Sequence, residues 1–342
     1  MATSTSLKFG LWYSFRNPPQ WQTPYADLYA AHLRQIAWAE TIGYDDVWLT
    51  EHHFCDDGHA PSILPLAAAV AATTQRIRIG TGVLLLPLHH AVRVAEDGAT
   101  IDILSNGRFE LGVGVGYRPQ EFEGLGYQAA DRAGRMDEGL EIIRRLWDGE
   151  TVDFEGVHYQ IKGARLEPPT VQDPRPPLWV GGFAPVAVRR AARLGDGYIG
   201  TGDMVEQSKL FREEWQRLGR TGEVRLAGGH FWLIASRDPD KTFAAVAPHV
   251  LYQIETYNRW LSDAGQALFP PIAGIEDLRE MGILLCVSPQ EAVDLIGDYV
   301  EATGIERYYN WTVPPGYGVE LMNDHLALFA EEVMPHFKDR GA

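Results

Sequence analysis

Phe109-Glu110-Leu111-Gly112-Val113-Gly114-Val115-Gly116-Tyr117 decides how this chain is read. Residues 109–115 are apolar on both faces apart from Glu110, the pattern of a strand covered on both sides by other elements. Helical periodicity precedes the run at 92–104 and follows it at 136–147. Moving outward, the same alternation recurs. Strands are predicted at 7–13, 45–50 and 77–83 on one side, with helices at 25–42 and 62–74 between them. On the other side strands are predicted at 177–181, 197–201, 225–235 and 307–312. The matching helices fall at 186–194, 205–218, 290–302 and 321–336. About eight strand–helix pairs would close a (β/α)8 TIM barrel, and an open doubly wound sheet is the rival. No G-x-G-x-x-G opens a helix after the first strand, which removes the usual support for a dinucleotide-binding sheet. The α/β reading is therefore a single barrel domain over 1–342. It carries a hairpin and proline-rich insertion at about 150–177 and a variable insertion at about 236–286.

Composition bounds the function. The 342 residues carry 30 Lys+Arg against 46 Asp+Glu, a net charge of −16. That balance, with no clustered basic run, argues against nucleic-acid binding. No apolar stretch reaches the ~18 residues of a membrane span. The first residues lack the basic and apolar blocks of a signal peptide, and two cysteines, Cys55 and Cys286, cannot build a disulfide framework. A cytoplasmic, soluble protein is expected.

Chemistry is sought at the strand ends, because barrel active sites lie on the C-terminal rim. The second strand ends in Trp48-Leu49-Thr50-Glu51-His52-His53-Phe54. Adjacent histidines point in different directions, so one reaches the mouth, where imidazole suits proton transfer near neutral pH; a plain pair of loop histidines is the alternative. A metal site is also open to consideration, since Glu51, His52, His53, Cys55, Asp56, Asp57 and His59 are all ligand types. The run lacks H-x-H spacing, a second cysteine and H-x-x-x-H, so no metal is assigned. Gly80-Thr81-Gly82-Val83 marks a bulge or a close approach to the backbone, or simple barrel curvature. In Gly112, Gly114 and Gly116 the alternation leaves one strand face bare, a flat floor for a planar ring. Val180-Gly181-Gly182-Phe183-Ala184-Pro185 leads into a helix whose N-terminus suits a phosphate, or is a plain tight turn. Arg135 is a charge partner for that phosphate or an ordinary helix arginine. Trp12, Tyr13, Phe54, Trp311 and Tyr317 are aromatic candidates for an apolar pocket or for core.

Together these stretches resemble the bacterial luciferase-like, flavin-dependent monooxygenase family. The likeness runs through Lys8-Phe9-Gly10-Leu11, Glu51-His52-His53-Phe54, Arg76 to Val83, Ala95-Glu96-Asp97, Leu104 to Phe109 and Gly112-x-Gly114-x-Gly116-Tyr117. It continues in Arg135-Met136-x-Glu138, Leu146-Trp147, Pro177 to Gly182 and Gly195-Asp196-Gly197. The resemblance implies a (β/α)8 barrel holding reduced FMN at the strand ends. His52 matches the active-site histidine, with Glu51 and His53 beside it, and Gly82–Val83 matches a non-prolyl cis peptide under the ring. Gly114, Gly116 and Tyr117 fall beside the cofactor, whose phosphate region matches Gly182, Phe183, Ala184 and Arg135. Gly114-Val115 replaces a Cys-Arg pair of the luciferase α-subunit, which moves phosphate binding to other groups. The implied activity is monooxygenation of a small organic substrate with O2, a separate flavin reductase supplying reduced FMN to a homodimer. The alternatives are a deazaflavin-dependent hydride-transferring oxidoreductase, a non-catalytic flavin binder, and a metal-dependent hydrolase on the His/Asp cluster.

Overall fold

The computed structural model describes residues 6–266 and 269–338. In chain order the first half contains β1 (Lys8–Tyr13), α1 (Tyr25–Thr41), β2 (Asp46–Leu49), α2 (Ile63–Thr73), β3 (Arg78–Thr81), β4 (Leu84–Leu85), α3 (Ala91–Ser105), β5 (Phe109–Gly114), α4 (Pro119–Gly124) and α5 (Arg132–Trp147). The second contains β6 (Val152–Glu155), β7 (Gln160–Ala164), β8 (Leu178–Gly181), α6 (Pro185–Leu194), β9 (Gly197–Ile199), α7 (Val205–Arg217), β10 (Arg225–Gly228) and β11 (Trp232–Ala235). Then come α8 (Pro239–Asp263), α9 (Ile275–Glu280), β12 (Leu284–Val287), α10 (Pro289–Thr303), β13 (Arg307–Trp311) and α11 (Asn323–Glu332).

Strands β3, β2, β1, β13, β10, β9, β8 and β5 pair in that order, and β3 pairs β5 to close the ring. Every barrel pairing is parallel, so all strand ends of one sense share one rim. The expected (β/α)8 barrel is the fold.

Its interior explains the glycines. Trp48, Trp179, Ile199, Ala227 and Tyr309 form the packed centre, with Trp12 and Val83 against them. A Cβ on Gly80 would overlap the Trp48 ring, and one on Gly112 would overlap the carbonyl oxygen of Thr81. Toward the N-terminal ends of the strands, charges close the barrel. Trp48 Nε1 donates to Asp46 at 2.5 Å and Trp179 Nε1 to Glu110 at 2.6 Å, while Arg307 pairs with Glu110 at 3.0 Å.

Three expectations need correction. The single strand at 225–235 is two: the chain leaves the barrel after Gly228, and β11 pairs with β12 in a parallel sheet of its own. The chain turns away where it passes close to β13: a Cβ on Gly229 would overlap the Tyr309 carbonyl, so only bare backbone passes there. The strand at 77–83 stops pairing at Thr81, before the cis bond Gly82–Val83. The last helix is shorter than 321–336, because α11 is flanked by single 3-10 turns. The hairpin at about 150–177 is β6 and β7. The described residues of the region 236–286 contain the 25-residue α8, then α9 and β12. Among the described residues no helix is long and apolar enough to cross a membrane.

Candidate active site

The loops after β1, β2, β3, β5 and β8 share one rim, and Glu51, His52, His53, Gly82, Val83, Gly116, Tyr117 and Gly182 lie at these strand ends. Their arrangement divides the Glu51-His52-His53 run. Glu51 is fully buried: its Oε1 accepts from His53 Nε2 and His89 Nε2, both at 2.7 Å, and its Oε2 from the Leu85 amide at 2.6 Å. Burial pushes its carboxyl up, but the hydrogen bonds and charges of the two imidazoles outweigh that and hold it down at about 2. For His89 burial opposes the charged ring, and Glu51 outweighs it, raising the pKa.

His52 faces the other way. Its Nδ1–H donates to Glu121 Oε1 at 2.8 Å, which leaves Nε2 as the ring nitrogen free for chemistry. Glu121 sits on α4 and also accepts from the His53 amide at 2.9 Å and Arg118 Nη1 at 3.0 Å. Burial raises the Glu121 carboxyl, but these donors prevail and its pKa is lowered. The His52 ring is 5.0 Å from that of Trp260 and 5.5 Å from that of Tyr117. Trp260 belongs to α8, so the insertion supplies an aromatic wall over the histidine.

At the next strand end Trp12 Nε1 donates to the Gly82 carbonyl at 2.7 Å, and Trp12 stacks on Trp311 at 3.9 Å. Val83 stands between Gly114 and Gly181. A Cβ on Gly114 would come within 2.7 Å of Val83 Cγ2, and one on Gly181 within 3.1 Å of Cγ1. The bare floor expected from Gly112 and Gly114 is therefore partly filled: Thr81 backbone meets Gly112, and Val83 meets Gly114. Gly116, at φ +74°, turns the chain against Phe122. Tyr13 is core, its hydroxyl donating to Gln35 at 2.9 Å, and Phe54 is 58% exposed. Tyr317 packs on His249, 5.3 Å away between rings.

Gly182 has φ +138°, a conformation glycine permits, and Phe183 and Ala184 lead into α6 with Pro185 at its first turn. Among the described residues neither amide donates to a backbone carbonyl. Arg135 lies within α5. Its Nε and Nη2 donate to the carbonyls of Pro87 at 2.8 Å and His89 at 3.2 Å, and it covers the ring of Tyr127 at 4.3 Å. It has no carboxylate partner and no hydrogen bond to the 182–184 turn among the described residues.

The mixed run of ligand types does not form one cluster. Asp57 pairs with Arg16, His59 bonds Thr50, and Glu51 with His53 and His89 is the trio whose ligand atoms lie within 4.8 Å of one another. Sequence reasoning missed Arg16, Glu121, Arg118, Trp260 and Tyr257. The one local signal was Arg118-Pro119-x-Glu121 directly after the glycine run, a start signature for a short helix.

A parallel eight-stranded barrel with a buried histidine–carboxylate couple and glycine-lined strand ends on one rim defines an enzyme of the TIM-barrel class. Residues 7–305 match the profile of the luciferase-like monooxygenases, and the chain belongs to that family of oxidoreductases. It is 38% identical over 328 residues to an F420-dependent glucose-6-phosphate dehydrogenase of Microbacterium testaceum, covering 89% of this chain and 92% of the relative. It is 26% identical over 358 residues to the oxygenase component of a flavin-dependent trigonelline monooxygenase of Acinetobacter baylyi, covering 97% and 96%. The crystal structure of monooxygenase RslO1 from Streptomyces bottropensis superposes with a TM-score of 0.81 at 25% identity, covering 97% of this chain and all of that one.

Proposed function

We propose that this enzyme uses reduced FMN and O2 to oxygenate a small organic substrate, with His52 as its proton-handling residue. The observation that carries the reading is the His52–Glu121 couple: a buried carboxylate fixes Nδ1 and aims the other nitrogen at the rim. The residues fit a flavin. Val83, between glycines, would support the ring beside Gly114, Gly116 and Tyr117. The open amides of Phe183 and Ala184 at the start of α6 suit its phosphate, with Gly182 forming the turn and Arg135 as a cation without a carboxylate of its own. Bound reduced FMN would supply the electron pair that activates O2. The chain's own groups do the rest. His52 Nε2 takes or gives the proton, Glu121 stabilises the imidazolium, and Trp260 keeps bulk water from the rim. Glu51 and His53 are spent on one another and act by positioning the loop. Without a dinucleotide fingerprint, the chain would receive its electrons from a separate flavin reductase. The family resemblance also implies a homodimer, and the composition a cytoplasmic one.

The second reading, hydride transfer with a reduced deazaflavin, is favoured by the 38% identity to the dehydrogenase. Anaerobic titration separates the two. Reduced FMN is expected to bind saturably and at least tenfold more tightly than the reduced deazaflavin; the reverse order would transfer the assignment to the deazaflavin, and no binding of either would defeat both.

A further inference from the structure

On the side of the mouth formed by the β1 loop and α8 lies a guanidinium with one of its three nitrogens hydrogen-bonded. Arg16 has a fully buried side chain, and its Nε donates to Asp57 Oδ2 at 2.5 Å. Its Nη1 and Nη2 have no partner among the described residues. A buried donor left unpaired loses its hydration without compensation, which costs more than a typical hydrogen bond returns, and more still when charged. Arg16 Cζ lies 5.6 Å from the ring centroid of Tyr257 and 5.5 Å from that of Trp260, the same Trp260 that faces His52. Cation–π contact offsets part of the cost but leaves the in-plane N–H groups unused. Other orphans lie around His52: the Tyr117 hydroxyl and His59 Nδ1 are buried without partners among the described residues, their rings 5.5 and 4.9 Å from that of His52. Thr50 gives its proton to the Tyr13 carbonyl and accepts from His59 Nε2, so His59 Nδ1 is a lone-pair acceptor.

We propose that Arg16 is a substrate-binding residue whose Nη1–Nη2 fork holds the carboxylate of a planar organic acid, with the carbon body against Trp260 and Tyr257 beside His52. This rests on reading the rim as the cofactor and proton-transfer site. Two parallel N–H groups match a flat, two-oxygen acceptor. Charge balance favours a monoanion over a phosphate dianion, because each chamber cation already has its carboxylate: Arg16 has Asp57, and Arg118 has Glu121. The site thus supplies directed donors with little surplus positive field.

The probes are benzoate, benzyl alcohol and phenyl phosphate, titrated into the protein by calorimetry, with FMN titrated into the same preparations. Benzoate is expected to bind about tenfold or more tightly than either other probe, as a charged hydrogen-bonded pair warrants. Arg16→Met should remove that preference while leaving benzyl alcohol unchanged, and Arg16→Lys, which keeps the pair with Asp57 but loses the fork, should lose most of it. If Arg16→Met fails to fold, the double variant Arg16→Met with Asp57→Asn removes both charges and is read the same way. Equal binding of benzoate and benzyl alcohol, tighter binding of phenyl phosphate, or a carboxylate preference surviving in the Arg16 variants would overturn the proposal. Failure of FMN binding with the benzoate preference intact would count against the cofactor reading alone.

Discussion

Glu51 and its two histidines are a charge cluster whose stability depends on pH at both ends. The Glu51 carboxyl is lowered to about 2, so its contribution is complete above about 4.5 and is lost as pH falls toward 2. His89 is raised, so its contribution is complete below about 6.5 and is lost as pH rises through its folded value. Glu51→Gln should flatten both limbs when thermal midpoints are followed against pH. A variant that keeps the wild-type slopes would show that the cluster carries no net linkage. At this scale the sequence was partly legible. Adjacent residues diverge, so His52 and His53 had to serve different networks, and they do. Which network each joins was hidden, because Glu121 is 69 positions from His52 and His89 is 38 from Glu51. Arg16 and Asp57 are 41 apart, and no spacing rule links residues on separate loops.

Glycine does opposite jobs in two elements of the fold. On β5 a Cβ at Gly112 would strike the Thr81 carbonyl, which is backbone and cannot swing aside. Gly112→Ala should therefore destabilise by about 1–3 kcal/mol or more, the range of overpacked cores. On α10 a Cβ at Gly297 meets nothing within 4 Å, so Gly297→Ala should stabilise by about 0.5–1 kcal/mol through helix propensity. Denaturant midpoints of the two variants test the pair, and equal shifts of either sign would contradict this account of the strand glycines. The glycine pattern announced a special strand, but not its purpose, since the partner that fills the barrel is Trp48 from a different strand. The β10–β11 break was concealed for a similar reason. Leu226, Ala227, Trp232, Leu233 and Ile234 read as one apolar run, and the close passage at Gly229 depends on β13, about eighty residues later. Scattered aromatics hid α8 because its Tyr252, Tyr257 and Trp260 gather around Arg16, a residue far away in the chain.

Across the whole molecule, the alternation of apolar strands with amphipathic helices predicted a parallel sheet buried on both faces, and the count of about eight pairs with no dinucleotide fingerprint favoured closure over an open sheet. Closure brings every strand end of one sense to one rim, so residues from the first third of the chain and α8 face a common space. The centre of the rim was legible from motifs at strand ends. Its α8 side was not, because an insertion has no place in the strand–helix rhythm. In the proposed chemistry His52 moves protons while other residues hold the cofactor. The direct measurement is oxygen consumption, above the protein-free rate, with reduced FMN supplied by a flavin reductase, on wild type, His52→Ala and His53→Ala, with the FMN affinity of each preparation measured alongside. His52→Ala should lower turnover by ~10²–10⁴, the usual contribution of a positioned acid or base, with FMN affinity nearly unchanged, and His53→Ala should lose much less. Equal losses in both variants with FMN binding abolished, or equal activity in all three proteins, would contradict it.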